Sequence, residues 1–435
     1  MSGMWNLLSK TKNGEIEMKK EKSSFEAIVC ICVMAMVAFF LFLRDARGYA
    51  INKYVFIVLL APVLLFAKEK YFYNVWAFIM PLYVGLPGNI LTLVILFRFV
   101  LHSLSSRMMY LSTTQFCLSL LLAVYIFIQN ILMGFTGIYH MIYVIEIVVL
   151  YFIMTAEFNA GFPSIFLHYS YGIALTGLIM LAYSLRVASF SELLSVASRL
   201  GDAGRTTSMT VIIDPNYYGM FAIISIAGNW YLATQKRFSR GQIVAAVAAT
   251  SCALGVGIIG MSRAFILCVA IWSVLVFLTE KKMTHKIGIV LVAIVAIVLI
   301  FTILPESVDA VMARFEGDDM ATGNGRTEQL VKYSKLWLET PITMLFGIGL
   351  FISEMHCMQF QMFTGLGIIG FLLIFAMYYS CWRIQRTNLK HFAWKSMVPL
   401  IVVQIAAATV PAARSLTFMM PVVMSILLCG EEKFI

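Results

Sequence analysis

Between Pro305 and about Phe363 the chain reads PESVDAVMARFEGDDMATGNGRTEQLVKYSKLWLETPITMLFGIGLFISEMHCMQFQMF. No other stretch gathers so many charges, glycines, amides and hydroxyls. Arg314 in ARFEGDD and Arg326 in GRTEQL carry planar guanidinium forks that suit bidentate binding of phosphate oxygens. His356 in SEMHC shares this stretch with them. An imidazole with an ordinary pKa near about 6.5 can take a proton at neutral pH, and the nearby Glu354 is a carboxylate in reserve. A lone histidine is usually structural. What separates His356 from His102, His140, His168, His285 and His391 is the company of two arginines and several carboxylates.

Three shorter motifs add candidates. In DPNYYG, Asp214 reads first as a helix N-cap ahead of Pro215, which is well placed in a first helical turn. Asp214 is also a second reserve base. Asn216, Tyr217 and Tyr218 have no capping role to explain them and could meet sugar hydroxyls. Arg263 in GMSRAF falls where two apolar runs meet with almost no loop. An arginine so near hydrocarbon needs a partner or a wet cavity, and an anion site is the sharper of those readings. Arg414 in PAARSL adds a further cation between the last two apolar runs. Glu146, deep in VIEIVVL, is either a paired structural acid or part of a cavity lining. There is no GxGxxG after a strand, no P-loop, no HExxH, no CxxC and no carboxylate pair at metal-ligand spacing. The expectation is therefore a site with no cofactor and no metal.

Long apolar elements must position these groups. The chain is 61% hydrophobic and 12% charged, with a mean hydropathy of +0.89. Runs such as IGIVLVAIVAIVLIFTIL do not alternate, so helices rather than barrel strands are expected. The fold class is all-α, a polytopic integral membrane protein of about 12–14 transmembrane helices with one large extracytoplasmic loop between late helices. Fourteen segments can be counted: residues 25–43, 49–67, 71–85, 89–103, 110–129, 138–154, 164–185, 212–234, 242–260, 264–279, 287–304, 362–382, 397–410 and 416–429. Residues 1–24 form a cytoplasmic tail and 25–304 an N-terminal and central bundle. Residues 305–361 are the extracytoplasmic catalytic loop, and 362–435 hold the C-terminal helices. The eight cysteines fall mostly inside apolar runs and read as small core residues. A short surface helix is expected over Ser191–Leu200, and an amphipathic one from Arg326 with Leu330, Tyr333, Leu336 and Trp337 on one face.

With the N-terminus inside, twenty of the 32 lysines and arginines fall on the cytoplasmic side, which supports that orientation. The kinds differ too. Fourteen of those twenty are lysine, whereas nine of the twelve facing outward are arginine. Lysine suffices as a topology charge; outward arginine suits an anionic partner. The net charge of +10 is thus a topology signal, and no soluble basic domain exists to bind nucleic acid.

The ordered motifs DPNYYG, SRAF, RF, GNGRTEQL, FGIG, His356 and TGLGIIGF resemble those of the bacterial O-antigen ligase and polymerase superfamily. The likeness covers roughly Asp214–Phe371, and the N-terminal half matches only in hydropathy. One departure is that Cys357 follows His356 where ligases often have asparagine. The resemblance implies a metal-independent inverting glycosyltransferase at the outer face of the cytoplasmic membrane. Its donor would be a polyprenyl-diphosphate-linked oligosaccharide whose chain lies in the apolar groove between helices, with membrane lipid as a further partner. Arg263, Arg314, Arg326 and Arg414 would stabilise the diphosphate and Asn216 and Tyr217 the sugar. His356 would be the base, with Glu354 or Asp214 in reserve. Chain-length regulator and flippase proteins are the implied partners. Transfer to another lipid-linked repeat unit makes a polymerase; transfer to lipid A-core makes a ligase. Polymerase is the expectation, because the N-terminal half is unfamiliar. A lipid-linked oligosaccharide flippase is the alternative from another class. It should show polar groups and broken helices at the midplane.

Overall fold

The computed structural model describes residues 25–106, 113–156, 161–194, 213–260, 262–303, 309, 326–353, 355–387 and 394–429. Every regular element among them is helical. A helix covers each of the fourteen apolar runs. They are α1 (Phe25–Ala46), α2 (Tyr54–Phe66), α3 (Glu69–Ile79), α4 (Gly88–Ser106), α5 (Thr113–Leu132), α6 (Ile138–Thr155) and α7 (Phe162–Val187). After a short α8 (Phe190–Leu194) come α9 (Pro215–Thr234), α10 (Arg240–Ile259), α11 (Arg263–Thr279) and α12 (Met283–Ile303). Two small helices, α13 (Arg326–Leu338) and α14 (Pro341–Phe346), lie within the polar stretch. The chain closes with α15 (Met358–Thr387), α16 (Trp394–Ala407) and α17 (Leu416–Leu428).

Five helices are long and apolar enough to cross a membrane: α1, α6, α7, α10 and α15 between Met358 and Arg383. Six more are shorter apolar helices of 10–17 residues. This is a helical membrane protein. In hydrocarbon only such elements satisfy every backbone group internally.

The bundle is organised around α9, where fifteen of twenty residues are buried. A helix apolar on all sides belongs in the interior, and α7, α10, α11, α16 and α17 pack around this one. Twelve of the thirteen residues of α17 are also buried. A polar seam runs through this core. Asn229 on α9 donates to Thr250 Oγ1 on α10 at 3.1 Å and accepts from Ser170 Oγ on α7 at 3.4 Å. Of the cysteines, four are buried, while Cys32 and Cys117 lie exposed on the bundle's outside.

Three features differ notably from expectation. The third segment ends early, because α3 gives way at Ile79 to a tight turn carrying Pro81. The surface helix ends its described portion at Leu194; the residues that follow lie outside the described ones. On α13, Tyr333 buries and Trp337 half-buries, whereas Leu330 and Leu336 stay 40% and 36% exposed. The packed stripe is therefore narrower than the sequence pattern; among the described residues α13 rests mainly on α14 and α15.

Polar contacts sort the helix ends into two groups. Lys68 pairs with Glu26 at 3.1 Å, Arg98 donates to the Leu64 and Leu65 carbonyls, and Lys395 pairs with Glu280 at 2.7 Å. All join ends expected inside. Arg44 meets Gly85 O, Arg186 meets Ala46 O and Arg414 meets Ser353 O, all joining ends expected outside.

Hydrogen bonds from Lys395 and from the Lys282 amide hold the Glu280 carboxyl down to about 2. Its folded value lies below the ordinary carboxylate value, so its contribution is present above about pH 4 and fades as pH falls toward about 2. The Tm difference between wild type and Glu280→Gln should thus be small, largest near neutral pH, and shrink on acidification to pH ~3. A difference that stays constant across that range would contradict the pairing.

Candidate functional site

The polar end of the bundle is shaped by a break in α15. At Gly367 the backbone leaves helical geometry (φ 67°, ψ −177°), which frees the carbonyls just before it. In hydrocarbon each unmet carbonyl costs several kcal/mol, and here each one is met. Ile348 N donates to Thr364 O at 3.0 Å and Gly349 N to Gly365 O at 2.9 Å. From α5, Gln129 Nε2 donates to Gly365 O at 2.9 Å and Tyr125 OH to Leu366 O at 2.5 Å. The same two side chains also reach Phe346 O. The two glycine motifs, FGIG and TGLG, are thus halves of one interlock. A methyl group at Gly347 (φ 82°) would land on Gly365 O, and one at Gly367 would land on Leu345 O.

This interlock fixes the loop that carries His356. Ser353 is fully buried, its hydroxyl 3.2 Å from Thr364 Oγ1, and its carbonyl accepts from Gln361 Nε2 at 2.7 Å. Arg414 Nη2 donates to the same carbonyl at 2.8 Å and to Phe351 O at 3.1 Å. Gln361 Oε1 in turn accepts from Ala413 N at 3.3 Å. The short turn Ala412–Arg414 and the loop before His356 are therefore stitched together.

α9 enters from the other side. Asp214 is its N-cap, Oδ1 accepting from Asn216 N at 2.7 Å. Asn216 Oδ1 accepts from Ser262 Oγ at 2.8 Å, and Ser262 caps α11, whose first residue is Arg263. Tyr217 OH donates to Pro411 O at 3.2 Å, and its ring lies 4.2 Å from that of Phe418. Tyr217 is within electrostatic reach of both Asp214 and Arg414. Tyr218, by contrast, is a core residue at 1% exposure. The remaining cap comes from another helix: Glu146 Oε2 on α6 accepts from Leu416 N at 3.0 Å, at the start of α17. Half-buried Glu146 thus has a structural role as the cap of α17.

Five sequence candidates thus converge: Asp214, Asn216, Tyr217, Arg263 and Arg414. The loop of His356 reaches them through Ser353 and Arg414. His356 itself is exposed between buried Met355 and half-buried Cys357. Arg326 is placed differently. Trp337 anchors the far end of α13, its Nε1 donating to Met344 O and its ring 4.7 Å from Phe363. Arg326, eleven residues earlier, is roughly 16 Å away along the helix axis. Arg314 and Glu354 lie outside the described residues.

Sequence reasoning missed Gln129, Tyr125 and Gln361. Their one signal was an amide or phenol near the end of an apolar run. His140 was also passed over. It stacks on Phe135 at 4.8 Å and meets Phe351 edge-on at 4.5 Å, directly behind the loop.

Electrostatically, the N-termini of α9, α11 and α17 converge here, each presenting the positive end of its dipole. Arg263 and Arg414 add full charges, and Asp214 offsets part of the field. Such an end attracts anions. Among the described residues no three of His, Cys, Asp or Glu gather as a metal-binding group. The fold and site define the chain as a helical membrane protein with a polar, cation-bearing end. Compared with protein-family models, curated proteins and solved structures, the chain matches none.

Proposed function

We propose that this protein is a membrane polysaccharide polymerase. It transfers a polyprenyl-diphosphate-linked glycan onto another lipid-linked repeat unit at the outer face of the cytoplasmic membrane. The carrying observation is the convergence of three helix N-termini with Arg263 and Arg414 beside the His356 loop. As the glycosidic bond breaks, negative charge builds on the diphosphate. Fixed dipoles and guanidinium groups that need no reorganisation stabilise that charge. The acceptor hydroxyl attacks the anomeric carbon from the opposite face, and His356 takes its proton. Exposure of His356 suits a base that must meet the sugar hydroxyl of an acceptor whose glycan lies outside the hydrocarbon. Arg326 and Arg314 would engage the donor from α13 and the stretch before it, and Glu354, two positions before His356 in the sequence, is the reserve base. Transfer to lipid A-core, a ligase reaction, uses the same chemistry with another acceptor.

The break in α15 favours, on its face, the flippase alternative, since transporters use broken helices. It comes nine residues into a thirty-residue helix, about 14 Å from its start. Its carbonyls accept from the FGIG turn and from Gln129 and Tyr125 of α5, so the break is clamped by protein contacts, as suits a fixed structural element.

In cells lacking the protein, lipid-linked glycan should stop at single repeat units, and restoring the gene should restore the ladder. A full ladder without it would end the polymerase reading. Orientation has its own check. Reporter fusions after Lys282 and Lys390 should read cytoplasmic and one at Asp319 extracytoplasmic; a cytoplasmic Asp319 would place the site on the wrong side.

A further inference from the structure

Three polar side chains stand at three-residue spacing on α6: His140, Tyr143 and Glu146. That spacing stacks them on one slanting face, with Glu146 about 9 Å further along the axis than His140. Each meets the segment that carries Arg414 or the loop that Arg414 holds. Tyr143 OH donates to Ala413 O at 2.6 Å, and Glu146 Oε2 accepts from Leu416 N at 3.0 Å. The rings of His140 and Tyr143 both meet Phe351 edge-on, at 4.5 and 5.5 Å. Phe351 O is itself an acceptor for Arg414 Nη2. We infer that Tyr143 and Glu146 are positioning residues. They fix the backbone on both sides of Arg414, so that its guanidinium and the His356 loop keep one geometry. The catalytic consequence rests on reading the polar end as a glycan-transfer site.

The backbone around Arg414 has little freedom left. Pro411 O accepts from Tyr217, Ala413 N donates to Gln361 and Ala413 O accepts from Tyr143. Leu416 N closes the set on Glu146. Four side chains from α6, α9 and α15 thus hold the segment from Pro411 to Leu416, whose one charged side chain is Arg414.

Stability alone does not account for the choice of groups. Ser415 occupies the N-cap position of α17, where a serine hydroxyl is well suited to cap, yet its side chain makes no cap hydrogen bond. A carboxyl brought from α6 caps instead, and an ionisable group within a membrane-spanning helix is costly to bury. What the distant cap adds is a tie between α6 and the residue two positions after Arg414. A serine in the same turn cannot make that tie. Small displacements matter here, because a misplacement of about 1 Å can cost a reaction about 10²-fold in rate.

The test is a double-mutant cycle read by glycan transfer, beside backbone hydrogen exchange of the same purified chains. Transfer is measured in vesicles made from the lipid extract of cells lacking the protein. Glu146→Ala should lower it by about 10²-fold and Tyr143→Phe by about tenfold. Glu146→Gln retains a carbonyl oxygen for Leu416 N and should recover most of the loss. Neither Glu146→Ala nor Tyr143→Phe should lower the residual transfer of an Arg414→Gln background further, because the group they position is gone. Exchange should quicken in the 411–416 segment and in the loop before His356, and in the Arg414→Gln background the loop should respond no further. Tyr143→Phe keeps the ring on Phe351 and removes one hydroxyl, so it carries the cycle even if Glu146→Ala does not accumulate. Effects that multiply with Arg414→Gln, or a loop that exchanges as in wild type, would overturn the inference. Coupled exchange with transfer indifferent to His356→Ala would keep the tie and remove the glycan-transfer reading. Transfer lost in His356→Ala with multiplying effects would do the reverse.

Discussion

Alanine at His356 should lower turnover by about 10²–10⁴-fold, the loss typical of a missing general base. The protein should be made at normal levels, because the side chain is exposed and packs no core. Donor binding should persist, since Arg263, Arg414 and the helix N-termini remain. In cells the glycan should collapse to single units on a gel, beside an unchanged blot for the protein. Arg263→Lys supplies the second arm: it keeps the charge at the start of α11 but loses the planar fork, so activity should again fall strongly. Arg326→Lys extends the test to α13, roughly 16 Å from its anchored end. If lysine is harmless there while it is damaging at Arg263, the diphosphate sits on the α9–α11–α17 side. Long chains from both His356→Ala and Arg263→Lys would leave only the membrane architecture.

The largest stability effect is expected at Gly367. Its φ of 67° is left-handed, and alanine there costs about 1–3 kcal/mol from backbone strain alone. The added methyl would also land on Leu345 O and Gly347 N, backbone atoms that cannot swing away. The interlock with FGIG would then open and expose carbonyls to lipid. Gly367→Ala should therefore drop the Tm of the detergent-solubilised protein sharply or prevent its accumulation. Gly255→Ala on α10 is the control. Nothing lies within 4 Å of a Cβ there, and removing a helical glycine should add stability of roughly 0.5–1 kcal/mol. Equal Tm values for the two variants would mean that the break in α15 is not held by this contact.

Much of the architecture was legible because hydrophobic patterning is a local property. A run of apolar residues long enough to cross lipid must be a helix, whatever its neighbours do. Each of the fourteen runs is one, and the caps at Asp214 and Ser262 follow from side chains adjacent to the helix they cap. Local signals are also why the motifs themselves could be picked out: unusual glycines, and arginines at the ends of apolar runs.

What the sequence could not contain is which distant groups answer one another. Glu146 lies 270 positions from Leu416 yet caps α17 in place of a local side chain. Gln129 and Tyr125 are more than 200 positions from the carbonyls they satisfy. No periodicity encodes that, because the demand is created only when Gly367 breaks α15 inside the bundle. Tyr217 and Tyr218 make the same point at adjacent positions. They look alike in sequence, but one bonds the Pro411 carbonyl and the other is buried in the core. The sequence determined the helices and the chemistry available at their ends. Tertiary packing decided which of those ends meet, because unmet backbone and charge in a low-dielectric interior must find partners wherever the fold brings them.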